Sequence, residues 1–181
     1  HQVVAEGILA ALGQWEKGYI AHQADNAFKA SAGLLPMPEP LTNNRYEHSQ
    51  WLQNHNFEGI VTQCFEMDTH PKLDVKDIFS RGFVGKHLGD KIQFQLPPCK
   101  SIAIQYRRTI HQPAPAVSVW VDGEAWQGLL DGNFDETWGD ALVLTTIAMA
   151  LSDTSHSLEL EITACPEVVA TPFYLVSVIM S

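Results

Sequence analysis

The side chains best able to do chemistry cluster in Asp131–Asp140, DGNFDETWGD. Four carboxylates (Asp131, Asp135, Glu136 and Asp140) and the amide of Asn133 are hard oxygen donors of the type that suits calcium. Trp138 stands among them, with Trp126 and Trp120 a short distance upstream, and broad indole faces suit stacking against a sugar ring. Two readings stay open. In one, Trp138, Trp126, Asp135 and Glu136 make a carbohydrate-binding surface. In the other, the segment is an acidic loop whose tryptophan closes a core, since large aromatics dominate interiors. Arg107 and Arg108 are candidates to pair with these carboxylates, but exposed ion pairs are worth too little to decide the matter.

Other motifs offer less. Asp68-Thr69-His70 has the residue types of a hydrolase pair, in which an aspartate orients an imidazole that takes a serine proton. Its spacing in an extended segment holds no particular hydrogen-bond geometry, so a solvated loop histidine is expected. Gly139-Asp140-Ala141 is like a Gly-Asp-Ser triplet, but alanine has no nucleophilic atom. His1 has the amine and imidazole of a copper brace, yet it opens a helical pattern and the next histidine is His22. Cys64, Cys99 and Cys165 show no CxxC spacing, which argues against a zinc site or a disulfide framework. They are expected to be buried thiols in a reducing, cytoplasmic setting, with secretion as the alternative. No catalytic residue, metal or cofactor is assigned within the chain.

The elements that must position these residues are strands. Ile92, Phe94 and Leu96 alternate with Lys91, Gln93 and Gln95; Ile102, Ile104 and Tyr106 alternate with polar neighbours; Val117, Val119 and Val121 do the same. A period of two marks half-buried strands. Phe57–Phe65, Ala125–Leu130 and Ser157–Thr163 add further strands, with a fully apolar last one at Pro172–Met180. Ala141–Ala150 is ambiguous between strand and helix, although β-branching favours strand. Asp122-Gly123 is a hairpin signal and Asp131-Gly132-Asn133 a second turn. Eight or nine short, turn-punctuated strands predict a mainly β fold, an antiparallel β-sandwich or jelly roll.

Upstream, His1–Ile20 reads as an amphipathic helix with Val4, Ile8, Ala11, Leu12, Trp15 and Tyr19 on one stripe. It starts without a cap, as though continuing from an earlier domain. A connector follows over 21–56, with a proline-rich stretch at LLPMPEP and a short helix expected at Thr42–Asn54. The sandwich is assigned to 57–181. Eleven basic against twenty-one acidic residues give a net charge of -10, which argues against a nucleic-acid or anionic-membrane partner. No apolar run is long enough for a transmembrane helix.

Five segments carry a family resemblance: HQVVAEGILAAL, RGFVGKHLGDKI, APAVSVWVDGE, FDETWGD and TPFYLVSVIMS. Together they resemble the last helix and following β-sandwich of bacterial SGNH/GDSL-type hydrolases of the carbohydrate-esterase kind. The resemblance implies a serine esterase that removes acyl groups from carbohydrate, with its serine and Asp-His pair upstream of His1. This chain is then an accessory portion that positions an acylated glycan or buttresses the catalytic domain. The alternative is a stand-alone carbohydrate-binding module without chemistry. A third reading, a homo-oligomerisation domain, expects an exposed apolar patch.

Overall fold

The computed structural model describes residues 48–70 and 77–181. The helix expected at His1–Ile20 and most of the connector lie outside the described residues. Ten strands follow in order: β1 (Gln50–Leu52), β2 (Ile60–Gln63), β3 (Glu66–Met67), β4 (Phe83–Gly85), β5 (Lys91–Arg108), β6 (Ala116–Val121), β7 (Glu124–Ala125), β8 (Leu130–Asp131), β9 (Ala141–Ala164) and β10 (Phe173–Met180). All pairings between them are antiparallel.

Two long strands make this one ladder into two layers. The first part of β5 (Lys91–Leu96) pairs with β2 and with the last part of β9, which also pairs with β6. The second part of β5 pairs with β10 and with the first part of β9. Between the parts lie Pro97 and Pro98, which have no N–H for the ladder, and the β5–β9 register shifts at Leu96/Cys99 and Cys99/Ser101. On β9 the bend coincides with Ala150 in the left-handed region, at φ 61°. The layers therefore fold face to face. Phe83 of β4 meets Phe94 of β5 edge-on at 5.6 Å, and a Cβ at Gly85 of β4 would lie 2.8 Å from Ile162 of β9. The alternating residues named from the sequence fill the space between, with Ile92, Leu96, Ile102, Ile104, Val117, Val119, Leu158, Leu160 and Ile162 fully buried.

Several sequence expectations change. Lys91–Leu96 and Ser101–Arg107 are one bent strand, as are Ala141–Ala150 and Ser157–Thr163, because the Pro-Pro break bends the ladder without ending it. Ala125–Leu130 is not one strand: Ala125 ends the two-residue β7, Leu130 begins the two-residue β8, and 126–129 link them. Described residues of the expected Thr42–Asn54 helix include strand β1, with Trp51 opposite Ile179. An isolated helix of that length is marginal, and pairing with β10 plus burial of Leu52 gives these residues more. The sheet thus takes in residues upstream of 57. Asp122-Gly123 forms the expected two-residue hairpin, with both residues at positive φ, 53° and 82°. Of the three thiols expected to be buried, Cys99 is buried, Cys165 half-buried and Cys64 exposed. Cys64 sits at φ 69°, where the chain turns out of β2.

Candidate functional site

The loop 131–140 closes the sandwich at the end where β8, the last residues of β5 and the start of β9 converge. Its backbone is tied from several sides. The Asp131 carboxylate accepts from the Asn133 backbone N–H (2.9 Å) and from its side-chain amide (2.7 Å). Asn133 Oδ1 accepts from the Ala114 N–H at 2.9 Å, and its Nδ2 donates to the Ala114 carbonyl at 3.1 Å. Arg108 Nε donates to the Asn133 carbonyl at 2.6 Å. Thr109 Oγ1 donates to Asp140 at 2.6 Å, and Gln112 Nε2 to Asp135 at 2.9 Å. Asp131, Asp135 and Asp140 are thus spent separately on holding the loop. Among the described residues no group of three or more His, Cys, Asp or Glu side chains converges as a metal cage would require.

The tied loop presents an aromatic wedge. The Arg108 guanidinium lies 5.3 Å over the Phe134 ring, and Phe134 meets Trp138 edge-to-face at 5.1 Å. Trp138 is 66% exposed, with Asp135 and Glu136 exposed beside it in sequence. Trp126 differs: it is half-buried against the core, and its ring lies so close to Gly128 that a Cβ there would meet it at 2.1 Å. Trp138 is therefore the one of the two free to stack on a ligand. Phe134, which sets its orientation, was not singled out from the sequence, and Arg108 was considered only as a partner for the carboxylates; the signal was there, an arginine ending a strand near an aromatic-acidic loop.

Arg107 anchors the neighbouring surface. Its guanidinium lies between the rings of Phe79 (5.7 Å) and Tyr174 (5.4 Å) and donates to the Pro172 carbonyl at 3.1 Å. Burial lowers its pKa, and the charge of Asp140 acts against that.

The pair Asp68–His70 is held, contrary to the expectation that its spacing fixes no geometry. The His70 backbone N–H (3.0 Å) and Nδ1 (2.7 Å) both meet Asp68 Oδ1, and the Tyr174 hydroxyl donates to Oδ2 at 2.6 Å. Burial pushes the Asp68 carboxyl up, but the bonds from Tyr174 and His70 outweigh it and hold the group below its usual value. Burial and the Asp68 partner push the Tyr174 phenol up. The His70 side chain nonetheless remains 91% exposed, as a solvated loop histidine.

No protein-family model and no curated protein matches the sequence. Solved structures do. A two-domain esterase active on acetylated mannans shares 40% identity at a TM-score of 0.74, over 83% of this chain and 40% of its own. A second structure of such an esterase, co-crystallized with mannopentaose, shares 38% identity at a TM-score of 0.74, over 90% of this chain and 44% of its own. A CBM36-1 domain of a multidomain xylanase from the hindgut metagenome of Trinervitermes trinervoides matches at 13% identity and a TM-score of 0.48, too distant to carry an argument. The chain spans less than half the length of the two-domain esterases. Over most of its residues, then, this chain is similar to one part of two-domain esterases.

Proposed function

We propose that this sandwich works beside a serine esterase domain of the SGNH/GDSL type, preceding it in the same polypeptide, and helps to hold an acetylated mannan-like glycan for deacetylation. The observation that carries the reading is the exposed Trp138 on a loop tied by hydrogen bonds, in a chain 40% identical to part of an esterase active on acetylated mannans. A preset indole stacks on a sugar ring with little ordering cost, because Phe134 and Arg108 already fix it. Acyl transfer is assigned to the other domain: the Gly-Asp triplet of the sandwich ends in Ala141, which has no nucleophilic atom.

Trp138→Ala in the two-domain enzyme tests this, with acetylated mannan and a small acetyl ester assayed side by side. An aromatic contact of about 0.5–1.5 kcal/mol gives a fall of about 2- to 12-fold in kcat/KM on the polysaccharide. The small ester should be hydrolysed at the original rate. Unchanged catalysis on both substrates removes the positioning role.

A further inference from the structure

We propose that the outer face of the layer formed by β2, β5, β9 and β6 is a second binding surface, one that takes a neutral, extended polysaccharide strand. It goes beyond the role given to Trp138, which is not among its lining residues.

The register puts four residues in one row across this face: Val61 opposite Gln93, Gln93 opposite Glu159, and Glu159 opposite Trp120. Three strand spacings of about 4.8 Å make the row roughly 14 Å long. The next row adds Gln95, opposite Ser157. A groove of about 520 Å³ runs over these residues, with Glu58 and Gly59 on one side and Gly123 on the other. That volume is within the range of ligand sites. Glycine is needed at 59 for the wall to come this close, because a Cβ would lie 2.8 Å from the Gln95 carbonyl oxygen.

The chemistry of the lining selects the occupant. Trp120 is half-buried and offers an aromatic surface, and Val61, 66% exposed, adds an apolar one at the far end of the row. Between them stand amides and a carboxylate, groups that exchange hydrogen bonds with hydroxyls. Their positions are preset: Gln93 Nε2 donates to Glu159, and Lys91 Nζ bridges Glu159 at 2.8 Å and Glu161 at 3.1 Å. With two carboxylates on Lys91 and a further one at Glu58, the face has no positive charge to offer an anionic polymer. A protein partner is matched by interface centres depleted of charge, which this polar row is not. A hydroxyl-rich, uncharged chain with alternating apolar ring faces and polar edges fits both the Trp120 and Val61 ends and the polar centre.

The test is affinity electrophoresis of the full 181-residue chain in gels containing soluble neutral mannan or soluble polygalacturonate. Trp120→Ala removes the aromatic surface; Val61→Arg fills the groove from an exposed edge-strand position that the core does not use. Neutral mannan should retard the parent chain and the Trp138→Ala variant alike, with retardation weakened about fivefold or more in both groove variants. Equal retardation of Val61→Arg and the parent overturns the proposal. So does absence of retardation by neutral mannan, retardation by polygalacturonate alone, or loss of binding in Trp138→Ala.

Discussion

Asp122→Asn should flatten a pH dependence built into the bend of β9. His156 is 4% exposed, and its two ring nitrogens face two acceptors, Asp122 Oδ2 at 2.6 Å and the Ser152 carbonyl at 2.9 Å. A neutral imidazole has one N–H and satisfies one of them, so the site selects the imidazolium. The bond that His156 donates to Asp122 is the main cause that raises the His156 pKa above 6.5, and the same bond is the main cause that holds Asp122 below 3.8. The raised histidine contributes stability that is complete below its unfolded pKa and lost as pH climbs through the folded value. The lowered carboxyl contributes stability that is complete above its unfolded pKa and lost as pH falls through the folded one. Both contributions are therefore whole only between 3.8 and 6.5.

Breaking a fully buried ion pair costs about 3–5 kcal/mol, but the Asp122 side chain is 49% exposed, and solvent screening brings the figure to about 1–2 kcal/mol. Asparagine isolates the charge. It tolerates the φ of 53° in the hairpin turn, and its carbonyl keeps an acceptor for the Ser157 N–H, now 2.8 Å from the carboxylate. Urea unfolding of both proteins should show that loss at about pH 6 and a smaller loss at a pH above the folded His156 value, where the parent has itself lost the pair. An equal loss at both pH values, or a parent equally stable at both, would refute a charged His156.

Two further outcomes probe the core and the thiols. Phe94→Ala removes a fully buried ring that bridges the layers to Phe83, so urea unfolding should show a loss of about 3–5 kcal/mol; a loss under about 1 kcal/mol would mean that the layers do not meet there. In the native chain a thiol reagent should modify the exposed Cys64 quickly and spare Cys99, whose thiol burial pushes up; peptide mapping showing Cys99 modified first would contradict the packing.

The β-sandwich was legible because its strands obey a period of two wherever one face is buried, as Ile92-Phe94-Leu96 and Leu158-Leu160-Ile162 do. What alternation does not encode is where a ladder bends. Pro97-Pro98 looked like a break between strands, yet β5 and β9 lean on each other across it and continue into the second layer. Gln50–Leu52 looked helical because local propensity ignores an open strand edge elsewhere in the fold, here β10. Asp122-Gly123 could be read outright, since few residue pairs tolerate two positive φ values in succession. Of the site, the exposure of Trp138 was an open alternative, and only packing separates it from Trp126, which leans on the core. The groove row was out of reach for a different reason. Val61, Gln93, Glu159 and Trp120 come from four strands, and their meeting depends on register, which the sequence does not state.

The two aromatic surfaces follow from one property of the fold, which is that its ladder leaves little room for adjustment. Trp138 stands on a loop fixed through Asn133, Thr109 and Arg108. Trp120 lies in mid-strand, its row held by the Lys91, Gln93 and Glu159 contacts. Neither can travel far toward a ligand, so each contributes what its preset geometry allows, without the ordering cost that a flexible loop would carry. Each surface is therefore read out by itself: Trp138→Ala should lower kcat/KM on acetylated mannan while leaving retardation in mannan gels unchanged, and Trp120→Ala should weaken that retardation.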